Sequence, residues 1–299
     1  MITTADKWSA WLLEKRFGGD AEAAERGMRM LYRVRDSILD EAKVAAGETV
    51  LDIGCGDGLV AFGALDRAGE RGKVIFSDIS EPLLDRCRAL ARELDVLDRC
   101  EFVNASADDL AAFHDESVEV VTTRSVLIYV RDKERAFREF YRVLRPGGRI
   151  SLWEPINRFN ATYDAERDTL TSEQLEIAHL WRRIGEHFRA IQPLDSDPMM
   201  NFDEYDLLRH AEDAGFRTVH LATHVYVLPS ETVTWDTWLN TSGNPNIPAI
   251  GEMLHDIFSP EEFVLFEKHA RPALERGGRP SRSSFALLSA TKVRETDHA

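Results

Sequence analysis

The chain is short of cysteine, of positive charge and of long apolar runs. Only three of its 299 residues are cysteine, Cys55, Cys87 and Cys100. So odd and sparse a set excludes a disulfide framework and points to reduced thiols in a cytoplasmic protein. None follows Cys100, so the remaining two thirds offer no thiolate cluster for a soft ion, and no metal site is expected. Lys and Arg number 37 against 52 Asp and Glu, a net charge of −15. That field repels phosphate backbones and anionic lipid, which disfavours nucleic-acid and membrane partners. No stretch approaches the roughly 18 unbroken apolar residues of a membrane helix. The first six residues show no basic segment followed by an apolar one, so no secretory leader is expected. Internal repeats and low-complexity tracts are absent too.

What is present is alternation. Short apolar runs at 49–53, 73–78, 100–104, 118–123 and 149–153 are too short for helices and read as buried strands. Helical stretches at 58–69, 81–94 and 132–144 separate them. Strands alternating with helices predict a parallel sheet covered on both faces, with ligands outside the carboxyl ends of the strands. The alternation then pauses for a long helix at about 165–191, whose stripe is Ile177, Trp181, Ile184, Phe188 and Ile191. It resumes with a helix at 205–214 and a strand at 219–228. A second interruption holds the loop 242–248 and a helix near 260–275, before a last strand at 284–290. The predicted organisation is an N-terminal helical cap (1–45), a cofactor-binding α/β core (46–156), a helical cap insertion (157–202), a core continuation (203–228), a second cap insertion (229–282), and the last core strand with a tail (283–299).

The most informative segment is Val50-Leu51-Asp52-Ile53-Gly54-Cys55-Gly56-Asp57-Gly58. A buried strand ends in a glycine loop that opens a helix, so a ligand can approach the backbone closely. The dinucleotide fingerprint needs glycines at relative positions 1, 3 and 6, which here are Gly54, Gly56 and Leu59. The third is missing. Asp52, Asp57, Asp78 and Asp108 crowd the same strand ends. A pyrophosphate prefers a helix N-terminus without competing anions, whereas a ligand with positive charges is attracted by nearby carboxylates.

At these residues the chain resembles the class I S-adenosylmethionine-dependent methyltransferases. The resemblance spans about residues 45–156. It rests on Leu51–Gly58, on Ser77-Asp78-Ile79-Ser80, on Ala107-Asp108-Asp109-Leu110, and on Val143-Leu144-Arg145-Pro146-Gly147-Gly148-Arg149-Ile150. It implies a Rossmann-like, seven-stranded, mostly parallel sheet with an antiparallel last strand and helical cap insertions. It also implies S-adenosyl-L-methionine as cofactor. Carried across, Gly54, Gly56 and Gly58 line the methionine and ribose part, with Cys55 a small residue of the same loop. Asp52 helps hold the ammonium, Asp78 takes the ribose hydroxyls and Ile79 packs on adenine. Asp108 accepts from the adenine amino group while Ala107 flanks the ring. Arg124 and Ser125 border the sulfonium, and Arg35 is the candidate partner of the methionine carboxylate.

The implied reaction moves a methyl group to O, N or C of a small organic molecule, plausibly a secondary metabolite. All six tryptophans lie outside the cofactor segment 45–152, and aromatic caps suit flat or greasy acceptors. Trp153 and Glu154, at the end of the fifth strand, are the expected acceptor contacts. His224 and Tyr226 share one face of their strand. With His187 they are the candidate general bases, against the reading of His224 and Tyr226 as a satisfied half-buried pair. The DNA amino-methyltransferases carry an Asn/Asp-Pro-Pro-aromatic segment after the fourth strand; here it is Thr123-Arg124-Ser125-Val126-Leu127. Two alternatives stay open: an NAD(P)-dependent oxidoreductase, and a cofactor-binding protein without methyl transfer in a cyclase or interaction role. Homo-oligomer formation is compatible with either.

Overall fold

The computed structural model describes residues 6–159, 161, 175–228, 232–277 and 281–293. Its centre is one seven-stranded sheet in the order β3-β2-β1-β4-β5-β7-β6. The strands are β1 (Thr49–Ile53), β2 (Lys73–Asp78), β3 (Cys100–Asn104), β4 (Val118–Arg124), β5 (Leu144–Pro155), β6 (Arg217–Leu228) and β7 (Ser281–Thr291). The first five run parallel. β7 lies antiparallel between β5 and β6, the Rossmann-like arrangement expected. β5 begins earlier than the apolar pattern suggested. The Arg145–Gly148 turn is absorbed into it as an irregularity opposite Val118 and Val120, with Gly147 at φ 83°.

The helices are α1 (Lys7–Ala10), α2 (Ala21–Ala42), α3 (Leu59–Ala68), α4 (Glu81–Glu93), α5 (Lys133–Val143), α6 (Ala178–Ile191), α7 (Glu204–Ala214), α8 (Trp235–Asn240), α9 (Ile250–Ile257) and α10 (Pro260–Glu275). A wider turn, Trp11–Lys15, continues α1. Their ends follow local chemistry. Ser80 and Asp132 cap α4 and α5 with side-chain oxygens, and Ser259 with Glu262 forms a reciprocal cap for α10. The expected helix at 165–191 is observed as α6; its residues 165–174 lie outside the described residues. No helix of the described residues is long and apolar enough to cross a membrane.

Strand alternation sorts side chains onto two faces. Val50, Val74, Phe76, Val120 and Trp153 face α2, α3 and α4. Leu51, Ile53, Ile75, Val121, Ile150 and Leu152 face the opposite layer, which includes Phe137 and Phe140 of α5 and Leu207 of α7. A third cluster, separate from the sheet, joins α6, α8, α9 and α10 through Leu180, Trp235, Leu254 and Phe266. The N-terminal 1–45 is not purely a cap. Ile38, Leu39 and Ala42 in the second half of α2 are buried in the sheet-facing layer.

Phe76 in β2 is fully buried and sits 5.0 Å, centroid to centroid, from both Phe62 and Phe102. Phe76→Ala is expected to cost about 3–5 kcal/mol, the usual loss for an emptied aromatic site. Urea denaturation checks it, and a loss below about 1 kcal/mol would show that the neighbours collapse into the space.

Candidate functional site

A cavity of about 780 Å³ opens at the carboxyl ends of β1, β2, β4 and β5. Its floor at one end is the glycine loop. Gly54 and Gly56 line it. Gly54 sits at φ 64°, and a Cβ there would stand 2.4 Å from Val126 Cγ2, so the loop and the segment after β4 touch only because the side chain is absent. Asp78, Ile79, Ala107 and Asp108 form the adjoining wall.

Asp78 does more than line the wall. Its Oδ2 accepts from the Gly56 amide at 2.8 Å and its Oδ1 from the Ser80 amide at 2.9 Å. The end of β2 is thereby tied to the loop after β1. Burial pushes its carboxyl above the usual range, although the two amides pull the other way. Asp108 accepts from the Ser106 hydroxyl. Ile79 is half exposed, an apolar side chain presented to the cavity. Two carboxylates, bare glycine backbone and an apolar flank suit a ligand with hydroxyls and a flat base, and so fit S-adenosylmethionine.

The other end is apolar and aromatic. Trp11, Leu12 and Phe17 come from the α1 segment, Met30, Leu31 and Val34 from α2, and Trp153 and Phe285 from β5 and β7. The loop after α8 closes the wall with Ser242, Gly243 and Asn244. Ser242 and Asn244 are buried, and the Ser242 hydroxyl donates to the carbonyls of Asn244 and Ile247 at 2.7 and 3.0 Å. Trp11 Nε1 donates to Ser242 O at 2.9 Å, and Lys7 Nζ to Asn246 Oδ1 at 2.8 Å. The irregular 242–248 segment is thus a built wall latched to the N-terminal helix.

Three arginines, Arg16, Arg124 and Arg131, also line the cavity. Arg16 lies over the rings of Trp11 and Phe17, at 5.7 and 5.2 Å. Burial lowers its pKa to about 10, helped by the charge of Arg124 and opposed by that of Asp57.

Not every expected contact lines the cavity. Asp52 shares the strand face of Val50, so its carboxylate turns beneath the loop toward the start of α3. It accepts from Thr122 Oγ1 at 2.7 Å, with the Ala61 amide as a second donor. Cys55 and Gly58 lie behind the loop. The Cys87 thiol donates to Gly56 O at 3.3 Å, and Gly58 caps α3 at φ 87°. Glu154 points to the face opposite its neighbour Trp153. Fully buried, it accepts from the amides of Val126 at 3.0 Å and Ile128 at 3.2 Å and from Thr123 Oγ1 at 3.3 Å. That grip holds Ser125 at φ 57°, so Glu154 positions the loop rather than touching an acceptor. Arg35 pairs with Asp36 at 2.8 Å and lies over the Tyr32 ring at 5.0 Å, outside the cavity lining.

The candidate bases lie outside it as well. His224 stacks on Trp153 with centroids 5.2 Å apart, and its buried Nε2 has no partner among the described residues. Tyr226 stacks beyond His224, 6.3 Å away. His187 is half buried on α6. Sequence reasoning missed Arg16 and Tyr129 as lining residues. Tyr129 meets Trp8 edge to face at 4.8 Å, and burial raises its pKa. The signal for Arg16 was its position one turn beyond Trp11 and Leu12 on the same short helix.

Residues 51–152 match the family model described as a methyltransferase domain. The chain is 33% identical over 189 residues to the ubiquinone/menaquinone biosynthesis C-methyltransferase UbiE of Escherichia fergusonii, covering 60% of this chain and 71% of that protein. The Klebsiella pneumoniae UbiE is also 33% identical, over 187 residues, with the same coverage. Among solved structures, the YcgJ protein of Bacillus subtilis superposes with a TM-score of 0.54 at 18% identity, over 88% of this chain and 99% of that one. Haemonchus contortus phosphoethanolamine N-methyltransferase 2, solved with S-adenosyl-L-methionine, gives 0.50 at 16% identity, over 88% and 53%.

Burial holds the Asp52 carboxyl up at about 7, with the Thr122 hydroxyl and the Arg124 charge opposing. Unfolded, it titrates near its ordinary 3.8. Between those values the folded state binds the proton more tightly, so this contribution to stability is present below about pH 4 and lost as pH rises through about 7. Asp52→Asn cannot ionise. Its melting temperature relative to wild type is expected to climb between about pH 5 and about pH 8.5. A flat difference across that range, measured calorimetrically on ligand-free protein, would refute the buried-proton assignment.

Proposed function

Because the chain belongs to the class I S-adenosylmethionine-dependent methyltransferases, we propose that it moves the cofactor's methyl group to an oxygen, nitrogen or carbon of a small, largely apolar organic molecule. Membership removes the nicotinamide alternative. The observation that carries the acceptor class is the continuity of the cavity. One space runs from Asp78 and Asp108 to Trp11, Leu31, Trp153 and Phe285. A ligand spanning the first part presents its reactive end to the second. Aromatic walls there suit a flat or apolar guest. These walls also agree with relatives named for C-methylation in ubiquinone and menaquinone biosynthesis, which supports carbon as one of the acceptor atoms.

The cofactor supplies a methyl already activated on a positively charged sulfur, and the protein's share is to orient and to exclude water. Asp78 would hold the two ribose hydroxyls. Ile79 and Ala107 would pack on the base, with Asp108 accepting from its amino group. Gly54 and Gly56 would let the amino-acid part pass close to the backbone. Arg124 and Ser125 would border the sulfur, with Trp153 as the acceptor wall. Asp52 and Glu154 act through the loops they fix. Free thiols and the acidic charge balance support a cytoplasmic setting.

Incubation with isotopically labelled cofactor and a panel of apolar phenols, hydroquinones, amines and acids is expected to yield a labelled organic product. Tight cofactor binding with no transfer to any panel member would favour a binding or cyclase role instead. Asp78→Ala removes a charged acceptor, a loss of roughly 1.5–3 kcal/mol or at least about tenfold in cofactor affinity. Calorimetry reads it, and an unchanged affinity would sink the ribose assignment.

A further inference from the structure

In a protein of net charge −15, the cavity lining carries three arginines, Arg16, Arg124 and Arg131, against two acids, Asp78 and Asp108. Arg16 reaches it from the α1 segment and Arg124 from the end of β4. Arg124 pairs in register with Trp153, so its Cα–Cβ direction puts it on the same sheet face as that ring. Neither guanidinium has an ion-pair or hydrogen-bond partner among the described residues; Arg16 has only the Trp11 and Phe17 rings. Guanidiniums without a carboxylate partner, set among apolar side chains, are binding sites for planar anions. The cofactor brings one carboxylate but also an ammonium and a sulfonium, so its net charge is positive. It therefore adds to the local positive charge, and neither arginine meets a carboxylate in contact, since Asp57 and Asp52 act on them only at longer range.

We propose that Arg16 and Arg124 recognise a negatively charged oxygen, carboxylate or oxyanion, on an otherwise apolar and planar acceptor. This rests on the methyltransferase reading and names its substrate class. Among the described residues no imidazole lines the cavity: His187, His224 and His255 all lie outside it. An acceptor that arrives ionised, or whose hydroxyl is acidified by two adjacent cations, needs no histidine to take its proton. The rings of Trp153 and Phe285 bind the apolar body, and the arginines fix which edge faces the methyl donor. The same guanidiniums could instead serve the cofactor's own carboxylate, and the two sources separate experimentally.

The probes are 2-naphthoate and its neutral isostere 2-naphthamide, titrated calorimetrically into the full chain saturated with S-adenosylhomocysteine. Wild type is expected to bind naphthoate at least about tenfold more tightly than naphthamide, the size of one charge-assisted pair. Arg16→Met and Arg124→Met should each bring the two affinities within about threefold, with Arg16→Lys and Arg124→Lys restoring part of the preference. Affinity for S-adenosylhomocysteine should change less than about fivefold in both Arg16 variants. Equal binding of the probes to wild type, binding of neither, or a preference that survives in both Met variants overturns the proposal. So does a collapse of S-adenosylhomocysteine affinity in Arg16→Met, which assigns that arginine to the cofactor carboxylate. A wild-type protein that fails to bind S-adenosylhomocysteine at all would instead strike the methyltransferase reading itself. Far-ultraviolet circular dichroism of each variant separates loss of recognition from loss of fold.

Discussion

Buried carboxylates grip backbone amides along the carboxyl edge of the sheet, and the shape of the cavity depends on that grip. Asp78 ties the end of β2 to the glycine loop through Gly56. Glu154 reaches from β5 to the amides after β4. Asp52 braces β1 against Thr122 of β4. A buried carboxylate without partners is costly by several kcal/mol, so each of these acids is stable only while its loop stays in place. The dependence runs both ways. Ser125 keeps a left-handed backbone, which costs of order 1–3 kcal/mol, because the Glu154 oxygens hold the residues that follow it.

The opposite wall is built differently. It has no buried acids; it is a helix and a loop held by tryptophan, lysine and backbone. The α1 segment contributes Trp11 and Arg16, and the loop after α8 contributes Ser242 and Asn244, joined by the Trp11 indole bond. Neither segment packs into the sheet layers; the cap cluster of α6, α8, α9 and α10 carries the loop. The acidic, glycine-lined half of the cavity is thus part of the core, and the aromatic half joins the core residues Trp153 and Phe285 to additions from the α1 segment and the loop after α8.

Much of this was legible in the residues. Short apolar runs ending in glycine or acid gave the parallel strands, and the departure from the dinucleotide spacing at Leu59 separated two ligand classes. The side-chain directions at strand ends were harder. Asp52 and Asp78 look alike in sequence, but Asp52 ends among buried neighbours beside α3, whereas Asp78 ends where the sheet opens. Trp153 and Glu154 are adjacent, and a period of two sends one to the cavity and the other to a loop. Arg35 and Arg16 are both helical arginines ahead of the core. Arg16 follows Trp11 and Leu12 by one turn, whereas α2 turns the Arg35 stem onto Gly63 and its head onto Tyr32, which only the packing reveals. His224 and Tyr226 do share a face as the pattern required, yet Trp153 stands between them and the cavity.

β7 follows β6 in the chain but separates it from β5 in the sheet. β6 therefore has no strand to join until the later one has been threaded beside β5. During synthesis the five parallel strands, with their glycine loop and acids, have all emerged while Phe285 is still unmade. The glycine loop and the acids at the strand ends are therefore made well before Phe285, and the aromatic wall across from them exists only once β7 has taken its place beside β5.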